Sequence, residues 1–159
     1  MPVSLGPKPP PRGEDLRTDD GEPMETARHR MQASVLLDSL LHAWRDRRDF
    51  YAAANMGVYF SETQARKNDF RAPDLFVVVD TERRERRSWV AWEEEGRLPD
   101  VVVELISEST EDVDRGLKKD IYARIWHAAT YVIYDPWTAQ LDVYRLDARR
   151  RYERVEPDA

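Results

Sequence analysis

The chain has 159 residues, no cysteine, and 25 Lys and Arg residues against 31 Asp and Glu residues, which gives a formal net charge of −6 at pH 7. The length indicates one domain with its own hydrophobic core, and the lack of cysteine excludes disulfide frameworks, thiol nucleophiles and cysteine-based metal sites. The negative charge argues against a protein that coats nucleic acid indiscriminately, although it permits a locally basic site.

Residues 1–23 form a proline-rich segment with six of the ten prolines and three of the six glycines. We predict a flexible N-terminal arm over 1–23, because this composition favours extended, solvated conformations, and a single domain over 24–159. A ligand for an SH3-like groove is the less favoured interpretation of the arm. The chain shows neither a secretory signal nor an apolar run of about 18 residues, so a cytoplasmic protein without membrane contact is expected.

Helices and strands alternate after the arm. A helix is predicted at about 27–47, because apolar residues recur at helical spacing from Met31 to Leu41, and Thr26 is suited to cap it. A second helix is predicted at about 111–129. The predicted strands lie at 50–54, 57–60, 75–79, 88–92, 101–106, 131–134 and 141–146, and the residues after Tyr152 form a last short strand or a tail. This order of elements indicates an α/β fold.

Glu104 is the most informative polar residue, because it interrupts the apolar run at 101–106. Alternation along a strand places it on the same face as Val102 and Ile106. An ionised carboxylate among apolar side chains is costly unless it is paired, hydrogen-bonded or bound to a metal ion. The sequence therefore favours a functional acid. A structural ion pair with Arg or Lys, or a water-facing edge position, is the alternative.

Asp74 opens the predicted strand at 75–79, at the end of the tetrapeptide Arg-Ala-Pro-Asp. If that strand neighbours the strand of Glu104, the two carboxylates meet at one edge of the sheet. Two carboxylates, together with water and a substrate phosphate, suit Mg²⁺. The dipeptide Pro-Asp recurs at 99–100, so by itself it indicates only the start of a strand.

Lys118 is the third candidate residue. The second helix carries an apolar stripe that we expect to pack on the sheet, formed by Leu117, Ile121, Ile125 and Ala128. Lys118 borders this stripe, whereas Lys119 is turned further toward solvent. A lysine on a helix is ordinarily a solvated surface charge. Lys118 is a candidate site residue only because Asp74 and Glu104 are candidates as well.

Other polar residues offer weaker sites. The three histidines, His29, His42 and His127, show no metal-ligand spacing, and we expect them at the surface or boundary of the domain. The sequence has no glycine-rich phosphate loop and no Gly-x-Ser-x-Gly elbow. Arginine-rich clusters occur at 45–48, 83–87 and 149–151, where a solvated surface is the ordinary role. The cluster at 83–87 is the best candidate for phosphate contacts.

Several blocks of the sequence resemble one nuclease family. They are DFRAPDLFVV at 69–78, the segment from SWV at 88–90 to LPDVVVELIS at 98–107, KKDIY at 118–122 and YDP at 134–136. Through these blocks, over most of residues 26–147, the chain is similar to the Uma-two (Uma2) family of restriction-endonuclease-like proteins. That family belongs to the PD-(D/E)XK nuclease superfamily.

The resemblance implies a restriction-endonuclease-like core, with a central mixed β-sheet flanked by α-helices. It implies that Asp74 and Glu104 bind Mg²⁺, or Mn²⁺ in its place, for hydrolysis of DNA phosphodiester bonds. Ile106 occupies the position where the superfamily motif has its lysine. The resemblance assigns that role to Lys118 in the following helix, with Lys119 as the fallback. A homodimer is compatible with cutting both strands of a duplex.

Two other functions remain open at this point. One is a catalytically inactive nuclease fold that binds DNA or a protein, which Ile106 and the net acidity favour. The other is a metal-dependent phosphodiesterase that acts on a small substrate.

Overall fold

A six-stranded sheet forms the centre of the computed structural model, which describes residues 8–17, 26–66, 70–107 and 110–157. Its strands, in spatial order, are β1 (Phe50–Ala54), β3 (Leu75–Val79), β5 (Val101–Leu105), β6 (Thr130–Tyr134), β7 (Leu141–Leu146) and β8 (Tyr152–Val155). β5 and β6 pair in parallel, whereas the other neighbours pair antiparallel. A separate parallel pair consists of β2 (Val58–Tyr59) and β4 (Trp89–Val90). The predicted α/β fold with a central mixed sheet is confirmed.

Helices cover both faces of the sheet. The layer between α1 (Ala27–Ala43) and the sheet contains Ala33, Leu36, Leu37, Leu75, Val103 and Leu105. The opposite face is covered by α3 (Glu111–Arg115) and α4 (Leu117–Arg124), and its core contains Phe76, Val102, Ile121, Tyr122, Trp126 and Tyr131. A short helix, α2 (Glu62–Arg66), follows β2. Within the described ranges, we find no helix of the length and apolarity needed to traverse a bilayer.

The second predicted helix is divided at Gly116, and its last turn ends at Arg124 rather than near 129. A Cβ atom at Gly116 would lie 2.9 Å from the main-chain oxygen of Asp112, so a side chain there would force the helices to shift. The predicted apolar stripe is wrong at Leu117 and Ile125, which are 59% and 50% exposed. The buried side of α4 is instead centred on Tyr122, and Lys118 lies one turn before it on the same side.

Part of the predicted N-terminal arm lies against the domain. The indole Nε1 of Trp92 donates to the main-chain oxygen of Pro11 at 2.9 Å, and the hydroxyl of Tyr59 donates to that of Arg17 at 2.8 Å. Residues 1–7 and 18–25 lie outside the described residues. The flexibility predicted for 1–23 therefore stays a prediction.

His29 connects α1 to the end of β5, which corrects the expectation that it lies at the surface or boundary of the domain. The side chain is buried, and its Nε2 donates to the main-chain oxygen of Ile106 at 3.0 Å. Nδ1 lies 2.8 Å from the hydroxyl of Thr26, which also caps α1 by accepting from the main-chain nitrogen of His29. His42 and His127 are exposed, as expected.

We expect His29→Phe to lower the free energy of unfolding by about 1–3 kcal/mol, because a buried carbonyl loses its imidazole donor. Equilibrium urea unfolding measures the change. His42→Phe on the same helix is the matched control, since His42 is exposed, and it should change stability by no more than about 0.5 kcal/mol. Equal losses in the two variants would contradict a specific tether at His29.

Candidate active site

The register of β3 and β5 brings Asp74 and Glu104 together. Leu75 pairs with Val103 in these antiparallel strands, so Asp74, just before β3, comes opposite Glu104 near the end of β5. The main-chain nitrogen of Leu105 donates to Oδ2 of Asp74 at 2.7 Å. Glu104 is buried, on the face of the sheet that α4 covers. The two carboxylates thus meet at one end of this strand pair.

The Pro-Asp dipeptide at 99–100 makes a similar local contact but has different neighbours. The main-chain nitrogen of Val79 donates to Oδ2 of Asp100 at 2.8 Å, at the opposite end of β3 and β5. Each aspartate therefore satisfies a main-chain donor where the strand pair ends. What distinguishes Asp74 is the glutamate beside it and the lysine above that glutamate.

Lys118 reaches the acids from α4. Its Nζ lies 3.5 Å from Oε2 of Glu104 and 2.8 Å from Oδ1 of Asp114. The lysine side chain is 26% exposed, whereas those of both acids are almost fully buried. The ammonium group therefore sits at the rim of the site, between buried carboxylates and solvent.

Lys119 lies on another flank of the same helix. Its Nζ is 3.8 Å from the centre of the Tyr144 ring, on β7. Consecutive helical residues point about 100° apart, which accounts for the separation of the two amines. Two lysines were candidates for the role of the motif lysine. The structure places Lys118, and not Lys119, beside Glu104.

Ile106 fills the position of the motif lysine with an apolar side chain. It is buried in the core beneath α4 together with Tyr122 and Trp126. A lysine there would place its charge among aromatic rings, which is unfavourable unless it is paired. The amine at the site therefore comes from α4 and not from the strand.

Two further site residues were missed from the sequence. The hydroxyl of Tyr122 donates to Oε1 of Glu104 at 2.6 Å, and the buried Asp114 pairs with Lys118. Asp114, Lys118 and Tyr122 follow one another at intervals of four residues, which is the spacing of neighbours on one helix face. This row of polar residues could have indicated the side of the helix that faces Glu104. The apolar stripe instead led to the prediction that Leu117 and Ile125 face the sheet.

The site has less positive than negative charge. Burial raises the pKa of Asp74, and the hydrogen bond from Leu105 partly offsets this. Burial also raises the pKa of Glu104 well above its ordinary value; Lys118 opposes this rise, whereas Asp74 and Asp114 add to it. Burial lowers the pKa of Lys118, but the charges of Glu104 and Asp114 outweigh burial and raise it. One ammonium group thus faces three carboxyl groups.

The donor set fits a hard divalent cation. Asp74 and Glu104 offer carboxylate oxygens, and Mg²⁺ is commonly held by one or two carboxylates while it keeps several waters. A divalent charge would favour the ionised form of Glu104, whose pKa is raised by burial first and by the neighbouring carboxylates second. In the described ranges of the chain, no three or more His, Asp or Glu side chains are arranged to hold a metal ion. Two carboxylates as protein ligands would leave most of the coordination sphere to water and substrate.

Two arginines of the cluster at 83–87 are paired with a carboxylate of the same chain. The buried guanidinium of Arg86 donates to both carboxylate oxygens of Glu94, at 2.6 and 3.2 Å, and lies over the ring of Trp89. Arg84 donates to the same carboxylate at 2.9 Å. The prediction that this cluster contacts phosphate is wrong for Arg86, because the side chain is buried and already neutralised.

Comparison with known proteins identifies the family and the fold of this chain. The model of the Uma2 family, described as "Putative restriction endonuclease", matches residues 9–159. Among solved structures, the chain is similar to "a putative nuclease belonging to DUF820" from Anabaena variabilis ATCC 29413, with 19% identity and a TM-score of 0.59. That similarity covers 94% of this chain and 82% of the other, and it shows the fold. A search of curated proteins gives no match. The resemblance seen in the sequence blocks is confirmed: the chain belongs to the Uma2 family of restriction-endonuclease-like proteins.

Proposed function

We propose that this chain is a metal-dependent endonuclease that hydrolyses DNA phosphodiester bonds. The observation that carries the proposal is the meeting of Asp74, Glu104 and Lys118 at one end of β3 and β5. Two carboxylates and one cation at such an edge are the groups that metal-assisted phosphodiester hydrolysis requires. Membership of a family described as restriction endonucleases supports DNA as the substrate.

Asp74 and Glu104 are the proposed ligands of Mg²⁺, for which Mn²⁺ can substitute. The cation, when bound, polarises a phosphoryl oxygen and lowers the pKa of a water molecule. One oxygen of each carboxylate is already oriented by the protein, through the Leu105 nitrogen and the Tyr122 hydroxyl. The second oxygens are the ones we assign to the cation, and that of Glu104 also lies 3.5 Å from the Nζ of Lys118. This arrangement fixes both carboxylates before the metal ion binds.

Lys118 acts in this proposal as a fixed positive charge. An ammonium group beside two carboxylates stays protonated at neutral pH, so it stabilises charge on the phosphoryl group or orients the attacking water, and does not serve as a general base. Water supplies the hydroxyl group of the new phosphate end and the proton of the alcohol that leaves. The bond that breaks joins phosphorus to the ester oxygen.

The direct test is cleavage of supercoiled and linear DNA by the purified full chain. We expect nicking or cutting with Mg²⁺ or Mn²⁺ and none with EDTA. Cleavage of a chromogenic phosphodiester without any cleavage of DNA would instead favour the small-substrate phosphodiesterase. Cleavage of neither substrate under any metal condition would overturn the proposal in favour of the inactive relative.

Metal binding should also be visible without catalysis. We expect saturating Mg²⁺ or Mn²⁺, at about 100 times its Kd, to stabilise the folded chain by about 2.7 kcal/mol. For a domain of this length this corresponds to a rise of about 5–10 °C in the melting temperature. Differential scanning calorimetry measures the shift, with NaCl of equal ionic strength as the control. An identical shift in a chain carrying Asp74→Asn and Glu104→Gln would show that the ion binds elsewhere.

A homodimer remains a proposal for how both strands of a duplex are cut. Sedimentation equilibrium distinguishes a monomer of 18.7 kDa from a species of twice that mass. A monomer both free and bound to DNA would overturn the dimer without affecting the proposed chemistry.

A further inference from the structure

A cavity of about 340 Å³ lies on the flank of α4 that carries Lys119, next to the turn that joins β7 to β8. Five cationic side chains and one carboxylate line it, namely Arg115, Lys119, Arg124, Arg150, Arg151 and Asp120. We call it the basic cavity. Its local charge is opposite in sign to the net charge of −6 of the whole chain.

Most of the positive charge in the basic cavity faces solvent. Arg124, Arg150 and Arg151 are exposed. Arg151 contacts the half-buried carboxylate of Asp147 with 3.9 Å between Nε and Oδ2, and so long a contact neutralises little of the charge of this exposed guanidinium. These guanidinium groups are therefore accessible to an anion.

Two other cations give the cavity a fixed wall. The guanidinium of Arg115 lies 3.0 Å from Glu111 and 2.9 Å from the buried Asp142, which holds it in place. The amine of Lys119 lies over the Tyr144 ring, and its pKa is lowered by burial and by the nearby charge of Arg115. The charge of Arg115 is largely compensated by these two carboxylates, so Lys119 is the cation of this wall that favours a bound anion.

α4 connects the basic cavity to the candidate active site. Lys118 faces Glu104 on β5, whereas the next residue, Lys119, faces Tyr144 on β7. β5 and β7 are separated by β6 alone, and neighbouring strands lie about 4.8 Å apart, so β5 and β7 are about 10 Å apart. A DNA strand advances about 3.4 Å along the duplex axis per phosphate, so about three phosphates cover this distance.

We infer that the basic cavity binds the phosphate backbone of DNA, a few phosphates away from the bond held at Asp74 and Glu104. This inference rests on the proposed function and identifies Arg124, Arg150 and Arg151 as its backbone contacts. Contacts to phosphate fix the position of the duplex and carry no base preference. The cavity therefore sets where the strand lies and leaves sequence choice to other surfaces.

The other arginine clusters are less suited to this role. Arg84 and Arg86 share the carboxylate of Glu94, and Arg47 pairs with Asp49 at 2.8 Å. The cluster at 149–151 differs because α4 and α3 add cations to it. The basic cavity thus combines two stretches that are separate in the sequence, 115–124 and 150–152.

The test measures binding rather than cleavage. The full chain carrying Asp74→Asn and Glu104→Gln is titrated against a short fluorescein-labelled duplex without metal, by anisotropy, between about 50 and 200 mM NaCl. In this background the cavity variant carries Arg124→Gln, Arg150→Gln and Arg151→Gln. The matched control carries Arg30→Gln, Arg45→Gln and Arg48→Gln, three exposed arginines of α1 and the segment that follows it.

We expect the cavity variant to bind the duplex at least tenfold more weakly, with the slope of log K against log salt reduced by about 2–3 because each phosphate contact contributes about 0.9. The control should stay within about twofold, with an unchanged slope. Equal weakening of the two variants, or an unchanged slope in the cavity variant, would overturn the inference. If the triple variant does not fold, Arg124→Gln and Arg150→Gln are measured singly, each with an expected slope change of about 1.

The outcomes separate this inference from the proposed chemistry. A cavity-dependent slope in a chain that never cleaves DNA supports the basic cavity and overturns the nuclease proposal. Normal cleavage by a chain with only the three cavity substitutions, at an unchanged KM, overturns the cavity and leaves the nuclease proposal intact. Displacement of the duplex by poly-glutamate as readily as by unlabelled duplex would assign the cavity to an acidic polypeptide instead.

Discussion

Asp74→Asn and Glu104→Gln should each lower the rate of DNA cleavage by more than about 100-fold, because loss of a residue that merely orients a metal ligand already reduces affinity or activity by about 10–100-fold. Both substitutions keep the size of the side chain and remove its charge. The amide oxygen that Asp74→Asn introduces would still accept from the nitrogen of Leu105, so the strand pair stays joined. Single-turnover cleavage at saturating Mg²⁺ measures the loss.

The same change at Asp74 should make the metal-free protein more stable. The variant removes one of three carboxyl groups that share a single ammonium group, and the burial that raises the pKa of Asp74 no longer acts on a charge. We expect a gain of about 0.5–2 kcal/mol in the free energy of unfolding, as is common when a functional site is relieved of strain. A more stable chain without activity separates a chemical role from a structural one.

Asp100→Asn is the matched control for Asp74→Asn. Asp100 also follows a proline and also accepts a main-chain hydrogen bond between β3 and β5, but it lies at the other end of the strands. We expect its variant to cleave DNA within about twofold of the parent, because the amide oxygen keeps this hydrogen bond and position 100 lies far from the acids. Full activity in the Asp74 variant, or an equal loss in the Asp100 variant, would contradict the assignment.

The pairing of Asp74 with Glu104 was predictable because it depends on strands with clear apolar patterns. The predicted strand at 75–79 matches β3, and the apolar run at 101–106 matches β5 to within one residue. Once the two strands are neighbours, alternation and register bring the carboxylates to one end. The family resemblance then supplied the chemistry that the pattern alone left open.

The orientation of α4 and the burial of His29 were less predictable, because partners distant in the sequence determine them. Leu117 and Ile125 fit an apolar stripe. The side of α4 that packs on the sheet is instead the one whose Lys118 and Tyr122 contact Glu104 on β5. His29 is buried because its imidazole finds a carbonyl 77 residues away. Hydrophobic spacing does not report a buried polar group that is stabilised by its hydrogen bonds.

Lys118→Met should reduce the rate constant of cleavage by about 100–1000-fold, the usual effect of removing one preorganised charge or donor from the transition state. Lys119→Met should act differently, because Lys119 lines the basic cavity: it should raise KM more than it lowers kcat. Steady-state kinetics with a short duplex measures both parameters. The reverse pattern would make Lys119 the residue at the chemical step.

The stability of the Lys118 variant gives an independent check, because Lys118 is the cation among Asp74, Glu104 and Asp114. Its loss leaves buried carboxylates without a counter-charge and should lower the free energy of unfolding by about 3 kcal/mol in the absence of metal. Adding Asp114→Asn should restore part of that stability, because the two residues act on one another and their effects are not additive. Cleavage should stay low in the double variant, since the carboxylate is gone but the ammonium group is still missing. If the role of Lys118 were purely structural, cleavage would recover together with stability. Recovery of stability alone therefore indicates a role in the reaction.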